Sequence, residues 1–157
     1  MTNTKNPTKV SILVIDDCAE GMIGFMDTWG YWANLSFIEW KFATAGDEGL
    51  DILVDQKIDL VLMDGHLINE YGHEVVKKIR TKEIAVPVCM FSSDEEQNIK
   101  GLSVGAEYAV NKNDFMDGYL DRDNEKIDPK KLKAMDNLAA IILLINLKRS
   151  KVLTEYD

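Results

Sequence analysis

A chain of 157 residues with 46% hydrophobic and 29% charged residues can bury a sizeable core and is too apolar to be disordered. Its formal net charge of -9 repels phosphate backbones and anionic lipid, which argues against direct nucleic-acid or membrane contact. The polar start (residues 1–9) lacks the apolar stretch of a secretory signal. The longest apolar run, residues 138–145, falls far short of the roughly 20 residues of a membrane span, so a cytoplasmic protein is expected.

Residues 1–8 read as a flexible N-terminus. A first strand is predicted at residues 10–15 (VSILVI), ending on Asp16 and Asp17. The helical region that follows, residues 19–37, carries Trp29, Tyr31 and Trp32 among Gly21, Gly24 and Gly30, with Trp40 just beyond. Core packing is the ordinary explanation for these aromatics, and a docked partner is the alternative. A weaker strand at residues 39–44 precedes a helix at 47–55 with Leu50, Leu53 and Val54 on one stripe.

The next strand, residues 58–63 (IDLVLM), ends on Asp64. A helix at 72–79 places Val75, Val76 and Ile79 on one face, and strand 86–91 (VPVCMF) ends on Ser92. Ser93, Asp94, Glu95 and Glu96 suit the start of a helix over 94–104, where free N–H groups and the dipole favour oxygen and negative charge. Gly105 is placed to stop it. A weak strand at 108–110 runs on to Lys112, and residues 113–127 read as a solvated acidic loop. Its DRDNE stretch (residues 121–125) lacks the glycine and distal glutamate of a calcium loop.

Asp128 and Pro129 open a last helix, residues 128–150. Leu132, Met135, Leu138, Ala139 and Ile142 form one stripe, after which residues 138–145 are apolar all round. A helix on one sheet face needs only one stripe, so the excess points to a homodimer through this helix, with the acidic loop folded over it as the alternative. Cys18 and Cys89, each beside a strand, are expected to be reduced core cysteines.

Strands apolar on both faces are central and parallel, and five strands alternating with five helices predict a doubly wound α/β sandwich in one domain over 1–157. Ligands of such folds bind beyond the C-terminal strand ends. There Asp16, Asp17 and Asp64 converge with Ser92 and Lys112. Two carboxylates about 4 Å apart repel by roughly 4 kcal/mol at an effective dielectric near 20, so the group calls for a cation. Hard oxygen donors favour Mg²⁺, with Mn²⁺ possible, and no His/Cys cluster has zinc spacing. That chemistry suits phosphoryl transfer. Asp64 is the candidate nucleophile and phosphoacceptor. The candidate metal ligands are Asp16, Asp17, Asp64 and the backbone carbonyl of His66. Lys112 and the Ser92 hydroxyl are placed to meet the phosphoryl oxygens.

The stretches ILVIDD, DLVLMDGHL, YGHEVVKKIR, VPVCMFSS and GAEYAVNK together resemble the receiver domain of two-component response regulators, the CheY-like family. The resemblance implies a flavodoxin-like (βα)5 fold with strand order 2-1-3-4-5. It also implies phosphotransfer from a sensor histidine kinase or phosphotransfer protein, a downstream protein partner and slow self-catalysed hydrolysis. On this reading the chain is a switch rather than an enzyme acting on outside substrates. In the family, side chains at the positions of His66 and Asp94 flank the attacking water; His73 reads as a helix-surface residue without a role.

Two departures stand out. Asn113 follows Lys112 where proline is usual, and Ala109 replaces an aromatic three residues before the lysine. Neighbouring strand residues face opposite ways, so Tyr108 is no substitute. Only residues 151–157 follow the last helix, and the expectation is a stand-alone regulator, a relay intermediate or a receiver excised from a larger kinase. The rival reading is a receiver-like scaffold that binds partners without phosphorylation; a phosphatase with an aspartyl intermediate ranks below it, because His66 stands where a second acid is wanted.

Overall fold

The computed structural model describes residues 9–155, with side chains to residue 150. The flexible N-terminus expected at 1–8 lies outside the described residues. In chain order the elements are β1 (Val10–Ile15), α1 (Ala19–Trp32), β2 (Ile38–Ala43), α2 (Gly46–Asp55), β3 (Leu60–Met63), β4 (His66–Leu67) and β5 (Glu70–Tyr71). Then follow α3 (Gly72–Thr81), β6 (Val88–Ser92), α4 (Glu95–Ser103), β7 (Tyr108–Asn111), α5 (Lys112–Leu120) and α6 (Pro129–Glu155).

Five strands form one parallel sheet in the order β2-β1-β3-β6-β7, the expected 2-1-3-4-5 order counted along the main sheet. The short β4 and β5 pair antiparallel as a separate ribbon, with Asn69 at φ 67° in its turn. Alternation along each strand divides the core in two. Ile12 and Val14 of β1, Leu62 of β3 and Phe91 of β6 pack against Met26, Trp29, Phe115, Leu138 and Ile142. Leu13, Ile15, Met63 and Met90 face Leu50, Leu53, Val75, Val76 and Ile79 on the other side.

The end of α1 shows how local chemistry sets an element. Asn34 takes φ 61°, Leu35 N–H donates to the Gly30 carbonyl and Asn34 N–H to that of Tyr31, a Schellman closure. The helix therefore ends at Trp32 and not at residue 37. Farther along, Arg80 fastens three segments. Its guanidinium donates to the carbonyls of Ile84 (2.9 Å), Val86 (2.8 Å) and Gly105 (2.9 Å) and to the Glu107 carboxylate (2.8 Å). Gly105 stops the preceding helix as expected, at φ 119°.

Two expectations need correction. Residues 113–127 are not all loop, because α5 starts directly at Lys112 and makes a sixth helix. Its cap is Asn111, whose side-chain oxygen accepts from Asp114 N–H at 3.0 Å, and its buried stripe is Phe115 and Tyr119. Cys18 is exposed and only Cys89 lies in the core, although both are free thiols. Ile142 is fully buried on the intramolecular stripe of α6, as its spacing from Leu138 predicts. Among the described residues no helix is long and apolar enough to cross a membrane.

Candidate functional site

Parallel pairing of β1, β3 and β6 brings the residues after each strand to one edge of the sheet. Asp64 is held there by its N–H, which donates to the Ile15 carbonyl at 2.9 Å. Asp16 is almost wholly buried and accepts from Cys18 N–H at 2.8 Å. The Lys112 ammonium reaches in from the first turn of α5, bonds the other Asp16 oxygen and lies 3.7 Å from Asp64. Ser92 is buried, and its hydroxyl oxygen accepts from Asp94 N–H at 3.1 Å. Asp16, Asp64, Ser92 and Lys112 thus share this edge, while Asp17 stands exposed at its rim.

The electrostatics follow from burial. Desolvation pushes the Asp64 carboxyl up to about 6; Lys112 and the Gly65 N–H draw it back, and the charges of Asp16 and Asp17 add to the rise. Burial pulls the Lys112 ammonium down, but its bond to Asp16 and the charge of Asp64 outweigh this and hold it above the usual lysine range. The cluster is therefore short of positive charge even with the lysine in place. Ligand atoms of Asp16, Asp17 and the Cys18 thiol lie within 4.8 Å of one another, and two of the three are hard carboxylates. A buried carboxylate and an exposed one beside a carboxyl already hard to ionise fit a hard divalent cation.

Gly65 fits only as glycine, because a Cβ there would stand 2.5 Å from the Ser92 hydroxyl and 2.6 Å from Gln97 Cβ. The β3–α3 connection consequently lies tight against the start of α4. Two further bonds cross the same gap. His66 Nε2 meets Asp94 Oδ2 at 2.8 Å, and His73 Nδ1 meets Gln97 Oε1 at 2.9 Å. The bond from His66 holds the Asp94 carboxyl below its usual range. Tyr71 stacks on His73 and meets His66 edge-on, which joins the two bonds into one layer. His73 is thus a half-buried bonded residue and not a bare surface one.

Sequence reasoning missed Gln97 and the Cys18 thiol. Gln97 gave no signal, since only the packing of α4 aims it at His73. Cys18 could have been read from its place directly after the acidic pair, where those two charges keep the thiol protonated above its ordinary range.

Comparison with known proteins gives a consistent answer. The model of the response regulator receiver domain matches residues 12–118. The uncharacterized transcriptional regulatory protein YbdJ of Bacillus subtilis is 38% identical over 66 residues, covering 40% of this chain and 30% of that protein. The transcriptional regulatory protein DltR of Streptococcus agalactiae is 28% identical over 106 residues, covering 64% of this chain and 44% of that one. The chain thus spans less than half the length of these curated relatives. Among solved structures, the receiver domain of Francisella response regulator 1452 superposes with a TM-score of 0.63 at 19% identity, over 89% of this chain and 98% of that one. The receiver domain of a putative Luxo repressor protein from Vibrio parahaemolyticus gives 0.65 at 15% identity, over 94% and 98%. At these identities the structural likeness speaks for the fold.

Proposed function

Because the chain belongs to the response regulator receiver domain family of two-component signalling, we propose that it accepts a phosphoryl group on Asp64 in a Mg²⁺-dependent transfer from a histidine kinase or phosphotransfer protein, and so switches a protein–protein interaction. One observation carries this reading. A largely buried carboxylate at a strand end has an ammonium 3.7 Å away and a second buried carboxylate bonded to that same ammonium.

Each residue then has a task. A carboxylate oxygen of Asp64 attacks phosphorus, the bond from phosphorus to the donor nitrogen breaks, and the electron pair leaves with that nitrogen. Asp64 must be ionised for this, and with its carboxyl at about 6 it is so near neutral pH. Asp16, Asp17, Asp64 and the His66 carbonyl would hold Mg²⁺, which offsets the charge gathering on the phosphoryl oxygens. Lys112 and the Ser92 hydroxyl bind those oxygens once the group is attached. His66 and Asp94, bonded to each other between the β3–α3 connection and the start of α4, govern how water approaches in hydrolysis. No outside substrate is turned over, and the role is that of an acceptor.

The partners follow from the same reading: a phosphodonor protein on one side and a protein that prefers one switch state on the other. With a net charge of -9, these 157 residues have no overall electrostatic attraction for DNA. Weak self-association is supported by a second stripe on α6, where Ala140, Leu143, Leu144 and Leu147 are exposed at helical spacing.

The test is intact mass after incubation with Mg²⁺ and acetyl phosphate, for wild type beside Asp64→Asn. A phosphate adduct is expected that requires Mg²⁺ and is absent from the variant. An adduct that persists in Asp64→Asn would place the acceptor elsewhere, and no adduct under any donor would favour the phosphorylation-independent scaffold.

A further inference from the structure

The aromatic position three residues before the lysine is Ala109, and a methyl group has nothing to swing. The chain does have a different aromatic path, which starts from both groups assigned to the phosphoryl oxygens. Lys112 is the first residue of α5, and one turn later Phe115 is completely buried. Ser92 ends β6, and Phe91 directly precedes it. The Phe91 and Phe115 rings meet edge-to-face with centroids 5.2 Å apart. A movement of either phosphate-binding residue therefore reaches the same ring pair.

From Phe115 the path runs outward. Its ring meets Trp29 edge-on at 4.9 Å and Phe25 at 6.0 Å. One turn farther along α5, Tyr119 meets Phe25 at 5.3 Å and Trp32 at 5.7 Å. The Arg122 guanidinium lies 4.3 Å from the Tyr119 ring centroid and 5.4 Å from that of Trp32, where the path surfaces with Trp32 49% exposed. Edge-to-face rings hold only narrow ranges of geometry, and closely packed interiors shift between arrangements more readily than they stretch. Gly118 fixes the back of α5 against α6, because a Cβ there would stand 2.5 Å from the Lys131 carbonyl oxygen.

We propose that α5 is the conformational readout of this switch, with Phe115 as the positioning residue that carries movement of Lys112 and Ser92 to the α1–α5 surface at Trp32, Tyr119 and Arg122. This rests on Asp64 being the phosphoacceptor. Before phosphorylation the ammonium is engaged by Asp16 and Asp64. Afterwards it follows the phosphoryl oxygens, and the helix that begins with it follows too.

The experiment is ¹⁹F NMR of the full chain labelled with 5-fluorotryptophan, before and after Mg²⁺ and acetyl phosphate, with intact mass taken on the same sample. Trp32→Phe and Trp40→Phe assign the three resonances. The Trp29 and Trp32 signals are expected to shift in proportion to the adduct and by more than that of Trp40, which lies on the edge strand β2 with its indole beside Gly30 of α1. Phe115→Leu should still take the phosphate and lose most of the Trp32 shift. A complete adduct with Trp29 and Trp32 unmoved, or with Trp40 moving as far as they do, overturns the relay and leaves Asp64 as acceptor. Absence of the adduct overturns both. The wild-type comparison needs no variant to fold, and a phosphorylated Phe115→Leu with the full Trp32 shift removes Phe115 from the path.

Discussion

Replacing Asp64 with Asn should stabilise the metal-free protein, and by an amount that depends on pH. In the fold the carboxyl titrates at about 6 instead of its usual 3.8, because burial and the neighbouring Asp16 charge penalise the ionised form. A carboxyl raised on folding favours the native state below its unfolded value and loses that contribution as pH rises through the folded one. The gap corresponds to about 3 kcal/mol at full weight. Solvent reaches the side chain, which is 11% exposed, and screening reduces the figure to about 1–2 kcal/mol. Asn keeps the shape and has no charge to desolvate. The variant-minus-wild-type difference from urea unfolding in EDTA should thus be near zero at pH 4 and grow to about 1–2 kcal/mol by pH 7.5. Near neutral pH the variant should melt roughly 2–8 °C higher. Titrating groups remote from the cluster cancel in the difference, which confines it to position 64 and its charged neighbours Asp16, Asp17 and Lys112. Adding Mg²⁺ should narrow the gap by stabilising wild type, since the carboxylate then gains a counter-charge. A difference that stays flat across this pH window, or an Asn variant less stable at pH 7.5, would refute the charge argument for the site.

Two other predictions concern the scaffold and the surface. Arg80→Ala removes donors from the Ile84, Val86 and Gly105 carbonyls and from Glu107; it should cost about 2–3 kcal/mol, read as a lower urea midpoint at unchanged slope. Leu143→Asp places charge on the exposed stripe of α6 and should abolish any concentration-dependent sedimentation while leaving the melting temperature within about 2 °C of wild type. Sedimentation that stays the same would remove α6 as the self-association surface.

The parts of the fold that could be read from sequence are those fixed by local pattern. Residues 10–15 are apolar on both faces and are a central strand, and Val75, Val76 and Ile79 mark a helix by spacing alone. The helix α5 was hidden by composition. Asp114, Asp117 and the acidic run after it look like a solvated loop, while Phe115 and Tyr119 are only two apolar residues one turn apart, and it takes the aromatic face of α1 to hold them. The strand ends placed Asp16, Asp64, Ser92 and Lys112 at one edge because topology alone brings them there. The bonds between His66 and Asp94 and between His73 and Gln97 join residues 28 and 24 apart, and no local rule pairs them.

The misread helix and the correctly placed lysine meet in one residue. Lys112 offsets part of the charge of a carboxylate pair that the fold has buried, so its position is set by charge; it is also the first residue of α5, so the position of a helix is set by the same charge. An attached phosphoryl group carries more negative charge than the carboxylate it modifies, and that charge sits farther from the backbone. The ammonium must then move outward or lose most of its attraction, and Asn111, whose side chain caps α5 and also donates to Glu95 of α4 at 2.6 Å, moves with it or gives up that bond. Either response couples the start of α4 and the start of α5 to one event. A loop after the lysine would absorb such a shift within a few residues, whereas a capped helix with a buried phenylalanine in its first turn passes it on.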